Sequence, residues 1–224
     1  MQRLPAEDRD GVPLRMMLQV VTADCTPVEG ARVDIWHCDA AGNYSGYATQ
    51  GSDGTEDTSD QTFLRGTQTT GANGSVTFET IYPGWYRGRT THIHYKVLLD
   101  ERTVLTSQVF FPDALSEYLF QTVPPYNDRA DSRDTTNRND RIAKQAGEGA
   151  YASVREQYAR YDAALVVGID ETAVSEPMGP GGPGGGDRRG GPPRGGPDGA
   201  RPPGGRGSPA QDGSGSVFIP GRDS

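Results

Sequence analysis

Histidine and cysteine are almost missing from this chain: there are three histidines and two cysteines among 224 residues. Two cysteines exclude a disulfide-stapled scaffold and a structural zinc site built on three or four thiolates. Basic residues are also short, 22 against 30 acidic ones, for a formal net charge of -8. An acidic chain with no basic cluster lacks the electrostatic footprint of a nucleic-acid binder. Long apolar runs are absent too, and nothing approaches the ~18 residues of a membrane span. The opening Met1-Gln2-Arg3-Leu4-Pro5 does not read as a signal peptide.

Glycine and proline are abundant but unevenly placed. From Glu176 onward, 49 residues hold 17 of the 31 glycines and 10 of the 17 prolines. Such a stretch cannot bury enough apolar surface to offset its ordering entropy, and it lacks the strict glycine period of collagen. The expectation is one domain over residues 1–175 and a disordered Gly/Pro-rich tail over 176–224. The tail's six arginines and five acids nearly cancel, so the acidity belongs to the body. A body of about 175 residues suffices for one domain with its own core.

Along that body the pattern is nearly all strand. Val12–Thr22, Ala31–His37, Ser75–Ile81, Thr91–Leu99 and Val104–Phe111 are apolar-rich or alternating, with turn residues between them. A last hairpin is expected to join Ala150–Arg155 to Asp162–Ile169. Gly46–Thr62 reads as a long polar loop and Asn127–Arg141 as charged and irregular. Asp113–Phe120 reads as a helical turn capped by Asp113. Many strands with short turns predict an all-β fold, a β-sandwich. If Val12–Thr22 and Ala31–His37 form a hairpin, Cys25 lies by its turn and Cys38 past its far end. A bridge needs Cα atoms within about 7 Å. Two free thiols are therefore expected, although export would permit a disulfide.

Two of the three histidines, His92 and His94, alternate with Ile93, Tyr95 and Val97. A period of two puts both imidazoles on one face of a strand and the apolar side chains on the other. Such a pair can share a metal ion, or it can be two surface histidines. The neighbourhood favours the metal: Tyr86 follows the Pro83-Gly84 turn, and Arg89 stands between it and the pair. His37, behind Trp36 at a strand end, reads as a packed histidine or one that supports a ligand from behind.

Further motifs extend the pattern. Ala31-Arg-Val-Asp-Ile-Trp-His-Cys-Asp-Ala-Ala-Gly-Asn-Tyr-Ser-Gly-Tyr47 ends a strand in a Gly-Asn-Tyr-Ser turn. Phe63-Leu-Arg-Gly66, the Tyr82-Pro-Gly-Trp-Tyr86 turn, Arg89-Thr-Thr-His-Ile-His94 and Leu105-Thr-Ser-Gln-Val-Phe-Phe111 follow in order. This series resembles the intradiol ring-cleavage dioxygenases, the family of protocatechuate 3,4-dioxygenase and catechol 1,2-dioxygenase, from about residue 11 to about 170. It is most similar to the compact, secreted single-domain members. The resemblance implies a sandwich core shared with transthyretin-like and surface-adhesin domains. A non-catalytic binding module of that type is the alternative.

Carried over residue by residue, the family's iron ligands fall on Tyr44, Tyr86, His92 and His94. Its active-site arginine falls on Arg89 and its active-site glutamine on Gln108. The implied cofactor is Fe(III), and the implied partners are O2 and a catechol-type substrate. The donor chemistry is consistent with that: two phenolates and two imidazoles suit neither magnesium nor calcium. Phenolate is a hard, charged donor, and a tyrosine with a pKa near 10 ionises at neutral pH only beside a strong cation. A trivalent ion with two tyrosinates and one hydroxide is neutral, which limits its cost of burial. The resemblance further implies that catechol displaces Tyr86, which then takes up a substrate proton, while Arg89 stabilises negative charge on the ring and Gln108 orients the reactants.

The chain departs from the family's well-known enzymes in one place, since only five residues separate Tyr86 from His92. A short connection predicts a metal site more open to solvent. The compact relatives carry an export signal and a Gly-Pro-Tyr arm upstream of the point where this chain begins, so secretion is the expectation, with the cytoplasm as the alternative.

Overall fold

A computed structural model describes residues 2–4, 9–48, 56–129 and 132–175. The expected tail lies outside the described residues, as does the middle of the Gly46–Thr62 stretch. Among the described residues the strands are β1 (Gln2–Arg3), β2 (Pro13–Thr22), β3 (Arg32–Trp36), β4 (Arg65–Thr69), β5 (Ser75–Ile81), β6 (His92–Leu99), β7 (Arg102–Phe110), β8 (Ser153–Gln157) and β9 (Arg160–Ile169). They form two sheets, ordered β1-β5-β2-β9-β8 and β4-β3-β6-β7. Two short helices, α1 (Asp113–Thr122) and α2 (Arg141–Ala146), follow β7. The expected β-sandwich is present.

Side-chain alternation explains the layers. On β2, Leu14, Met16, Leu18 and Val20 point inward; on β3 Val33 and Ile35, and on β6 Ile93, Tyr95 and Val97, meet them in one core cluster. Because the strand period is two, the inward set on β6 fixes its other face: His92, His94 and Lys96. A slip of one residue would exchange the imidazoles for aliphatic chains. The register carries the face further, pairing Trp36 with His94 from β3 and Gln108 with His94 from β7. Three candidate residues thus stand side by side on one sheet through pleat and register alone.

The structure corrects three expectations. β2 and β3 do not form a hairpin: β2 pairs with β5 and β9, while β3 pairs with β4 and β6. Each strand has an apolar face to bury, and those faces oppose one another across the core, which requires separate sheets. Asp113 does not cap α1; Pro112 holds that position without a side-chain cap. The Asp113 carboxylate instead accepts from the Asn137 N–H and pairs with Arg133 at 3.1 Å. Third, the Asn127–Arg141 stretch ends in a helix start, because Asp140 accepts from the N–H groups of Ile142 and Ala143 and caps α2. The polar strand β4 carries no apolar alternation, and it pairs along β3 through backbone bonds. Cys25 is exposed, Cys38 is buried, and both are free, as expected.

Candidate metal centre

The two histidines arrive on β6 and the two tyrosines on loops. Tyr44 follows a turn in which the Asp39 side chain accepts from Asn43 N–H at 2.8 Å and the Asp39 carbonyl accepts from Gly42 N–H at 3.0 Å. Tyr86 opens a second turn, closed by Arg89 N–H donating to Tyr86 O at 3.3 Å, with Gly88 at φ +80. That left-handed backbone favours glycine. The two loops dock backbone to backbone. Gly84 N–H donates to Asp39 O at 3.0 Å. A Cβ on Gly84 would sit 2.4 Å from Ala40 O. Only glycine permits this approach, which brings the tyrosine turns together.

Four donor atoms converge. Nε2 of His92 stands 3.3 Å from Tyr44 Oη, 3.2 Å from Tyr86 Oη and 3.1 Å from His94 Nε2. One imidazole nitrogen has a single lone pair or a single proton, so it cannot serve three hydrogen-bond partners at once. Two nitrogens each about 2.1 Å from a common ion, at roughly a right angle, stand about 3 Å apart. The observed spacing therefore fits four ligands around one cation. Among the described residues, no group of three or more His, Cys, Asp or Glu gathers to hold a metal, so a site here depends on its tyrosines.

Their surroundings suit the same role. Nδ1 of His92 lies 2.6 Å from Thr90 O, which fixes the proton on that nitrogen and frees Nε2. The His94 ring stacks on Trp36, with centroids 4.8 Å apart and planes 8° from parallel. Burial holds both imidazoles neutral: it pushes His92 down to about 3, helped by the Arg89 charge, and His94 well below its usual range, helped by His92. Burial also raises the Tyr44 phenol well above its usual value and Tyr86 to about 12, where Arg89 works against the rise. Without a cation the phenols keep their protons, and a multivalent ion at this position would supply the charge to ionise them. Tyr44 and His92 are buried while Tyr86 and His94 are partly exposed, so the cluster opens on the Tyr86–His94 side.

Arg89 and Gln108 lie beside the cluster without joining it. Nη1 of Arg89 is 3.5 Å from Tyr86 Oη, and Nη2 donates to Gln108 Oε1. Gln108 Nε2 is 3.4 Å from His94 Nδ1. If His94 binds an ion through Nε2, its Nδ1 carries the proton, and that contact is then an approach of two donors. Arg89 is what fixes the amide. His37 is packed, as expected: Nδ1 faces Cys38 O at 2.8 Å and Nε2 faces Thr80 Oγ1 at 2.7 Å. Sequence reasoning missed Trp36 as the ring stacked on His94, Thr90 as the carbonyl behind His92, and Asp140, whose carboxylate meets Arg89 at 2.9 Å. The Asp140-Arg-Ile sequence carried a helix-cap signal, but nothing local linked it to Arg89.

A family model described as Dioxygenase matches residues 1–123. The chain is 33% identical over 119 residues to catechol 1,2-dioxygenase 1 of Acinetobacter lwoffii, covering 45% of this chain and 36% of that protein. It is 28% identical over 123 residues to chlorocatechol 1,2-dioxygenase of Rhodococcus opacus, covering 46% of this chain and 45% of that protein. Each alignment thus spans less than half of the relative's length. A solved structure, the intradiol ring-cleavage dioxygenase from Tetranychus urticae, superposes with a TM-score of 0.68 at 33% identity, covering 78% of this chain and 88% of that one. The donor cluster and the strands β1 to β7 thus fall within the stretch matched by the family model, and the chain belongs to the intradiol ring-cleavage dioxygenase family.

Proposed function

We propose that this protein is a non-haem Fe(III) dioxygenase that opens catechol-type rings between the two hydroxyl-bearing carbons, giving muconate-type dicarboxylic acids. Tyr44, Tyr86, His92 and His94 would hold the iron. The observation that carries this reading is the four-donor cluster around His92 Nε2, with Arg89 next to it. The catechol-type substrate is inferred from the names of the two relatives. Ferric iron, when bound, supplies a Lewis acid that draws electron density from the diphenol and readies its ring for dioxygen.

The protein's own groups divide the remaining work. Tyr86 is the more exposed of the two phenols and lies on the open side, so it would be the phenol that gives way to substrate. Its largely buried surroundings raise its affinity for a proton, so it would be the group to take one from a catechol hydroxyl. Tyr44 is buried against His92 and stays in place. Arg89 presents a fixed positive charge beside Tyr86, where negative charge builds on the substrate, and Gln108 is held at the same edge. The balance closes without an outside reductant: one ring carbon–carbon bond breaks, and both atoms of O2 end in the two new carboxyl groups. Export, implied by the resemblance to secreted members, belongs to the same proposal.

The test is oxygen uptake by the iron-loaded full chain on a panel of catechols, with isotopically labelled O2. The product is expected to carry both labelled atoms in a ring-opened dicarboxylic acid, and the iron-loaded protein is expected to absorb visible light. A colourless, iron-free protein without uptake on any diphenol would overturn the reading in favour of a binding module.

A further inference from the structure

Asp140 lies beyond the stretch matched by the family model and is 1% exposed. Its Oδ2 accepts from Arg89 Nε at 2.9 Å and from Thr90 N–H at 2.9 Å. Its Oδ1 accepts from Ile142 N–H at 2.7 Å and Ala143 N–H at 3.0 Å. Four donors use the full acceptor capacity of one carboxylate, which leaves it a single orientation. Ala143 in turn packs with Phe110 of β7, the residue paired with His92, so α2 is anchored to the sheet that carries the histidines.

This anchor bears on the arginine. A guanidinium on a flexible stem, standing on a turn at the open side of the site, needs something to set the direction of its edges. Nε is taken by Asp140 and Nη2 by Gln108, which leaves Nη1 as the edge toward Tyr86 Oη at 3.5 Å. We propose that Asp140 is a positioning residue: through its bond to Nε it aims the Arg89 guanidinium at the phenol oxygen of Tyr86 and the substrate oxygen that replaces it. Asp140 touches neither oxygen and reaches them through Arg89, while its bond to Thr90 N–H holds the backbone behind His92. This rests on the reading of the site as a ring-cleaving centre.

The experiment uses Asp140→Asn and Asp140→Ser, both of which still cap α2, together with Arg89→Leu and the Asp140→Asn/Arg89→Leu double variant. Turnover, iron content and the visible band are measured where every variant is folded. Asp140→Asn is expected to lower kcat by about 10- to 100-fold, as is usual when a group supporting the first shell is lost, with iron and KM little changed. The double variant is expected to be no slower than Arg89→Leu alone, because Asp140 reaches the reacting oxygens through Arg89 and its cap and Thr90 contacts can be kept by the Asn side-chain oxygen. Independently of turnover, NMR of the metal-free protein is expected to show a slowly exchanging Arg89 Nε–H in the wild type, lost in both Asp140 variants. Losses that multiply in the double variant would overturn the proposal, as would full kcat in Asp140→Asn, or unfolding of both single Asp140 variants, which would make Asp140 a structural cap. If the wild type turns over no catechol while the Arg89 Nε–H signal behaves as stated, the fault lies with the proposed function and not with the Asp140–Arg89 contact.

Discussion

Nε2 of His92 has three other donor atoms within 3.3 Å, a cluster that the proposed iron would hold together. Removing one donor is therefore expected to cost the ion more than the fold. Tyr44→Phe leaves the buried ring in place and deletes only its oxygen. It is expected to lose most of the iron and the visible colour while the metal-free melting temperature stays close to wild type. Full colour and iron content would remove Tyr44 from the ligand set. Arg89→Leu has a different signature. Iron and the visible band are expected to remain, catechol is still expected to shift that band, and turnover falls on the order of a hundredfold. The same variant takes one of its four donors, and its countercharge, from the buried Asp140 carboxylate, so a stability loss of about 1.5–3 kcal/mol accompanies it, measured by urea unfolding. Normal turnover would make Arg89 a structural arginine.

At the scale of elements, the site depends on two loops meeting at one glycine. Gly84→Ala would force a Cβ to within 2.4 Å of Ala40 O and 2.5 Å of Asp39 O, both backbone atoms that cannot swing aside. The turns that carry Tyr44 and Tyr86 must then separate. Iron binding is expected to weaken sharply, with a stability cost of about 1–3 kcal/mol. Wild-type iron content and melting temperature in Gly84→Ala would show that the loops dock by other means. The strands that face the core were legible because their alternation repeats over several residues, as on β2 and β6. β4 was not, since Arg65–Thr69 is polar and is held by pairing with β3. α2 was hidden by its length of six residues, too short for a helical period to stand out.

For the molecule as a whole, acid is expected to act through histidines buried in neutral form. Burial pushes His37 down to about 4, with the Cys38 carbonyl opposing. Between that value and the ordinary one near 6.5, the unfolded chain holds a proton that the folded chain does not. Stability is thus intact above the ordinary value and falls as pH drops through it, by up to about 1.4 kcal/mol per pH unit for each such histidine. In the metal-free protein His92 and His94 act in the same direction. The urea midpoint of that form is expected to drop between about pH 7 and about pH 5. A flat midpoint would mean these imidazoles reach solvent. Ending the chain after Ser175 keeps the Ser175 N–H bond to Thr103 O and removes only the Gly/Pro-rich stretch. Melting temperature and oxygen uptake are expected to stay nearly unchanged, and a clear loss of either would show that the tail contributes to the domain.

What the sequence determined by itself is what repeats locally or matches a motif. Strand alternation set the inward and outward faces, so His92 and His94 were bound to share one. The ordered motifs marked Tyr44, Tyr86, Arg89 and Gln108 as their companions. Tertiary structure decided the rest, because the remaining relations join residues far apart in the chain. β2 and β3 lie in opposite sheets since two apolar faces must bury one another. Tyr44 meets Tyr86 because Gly84 lets one backbone approach another. Asp140 meets Arg89 across 51 positions, a pairing of opposite charges that only the folded chain brings within reach.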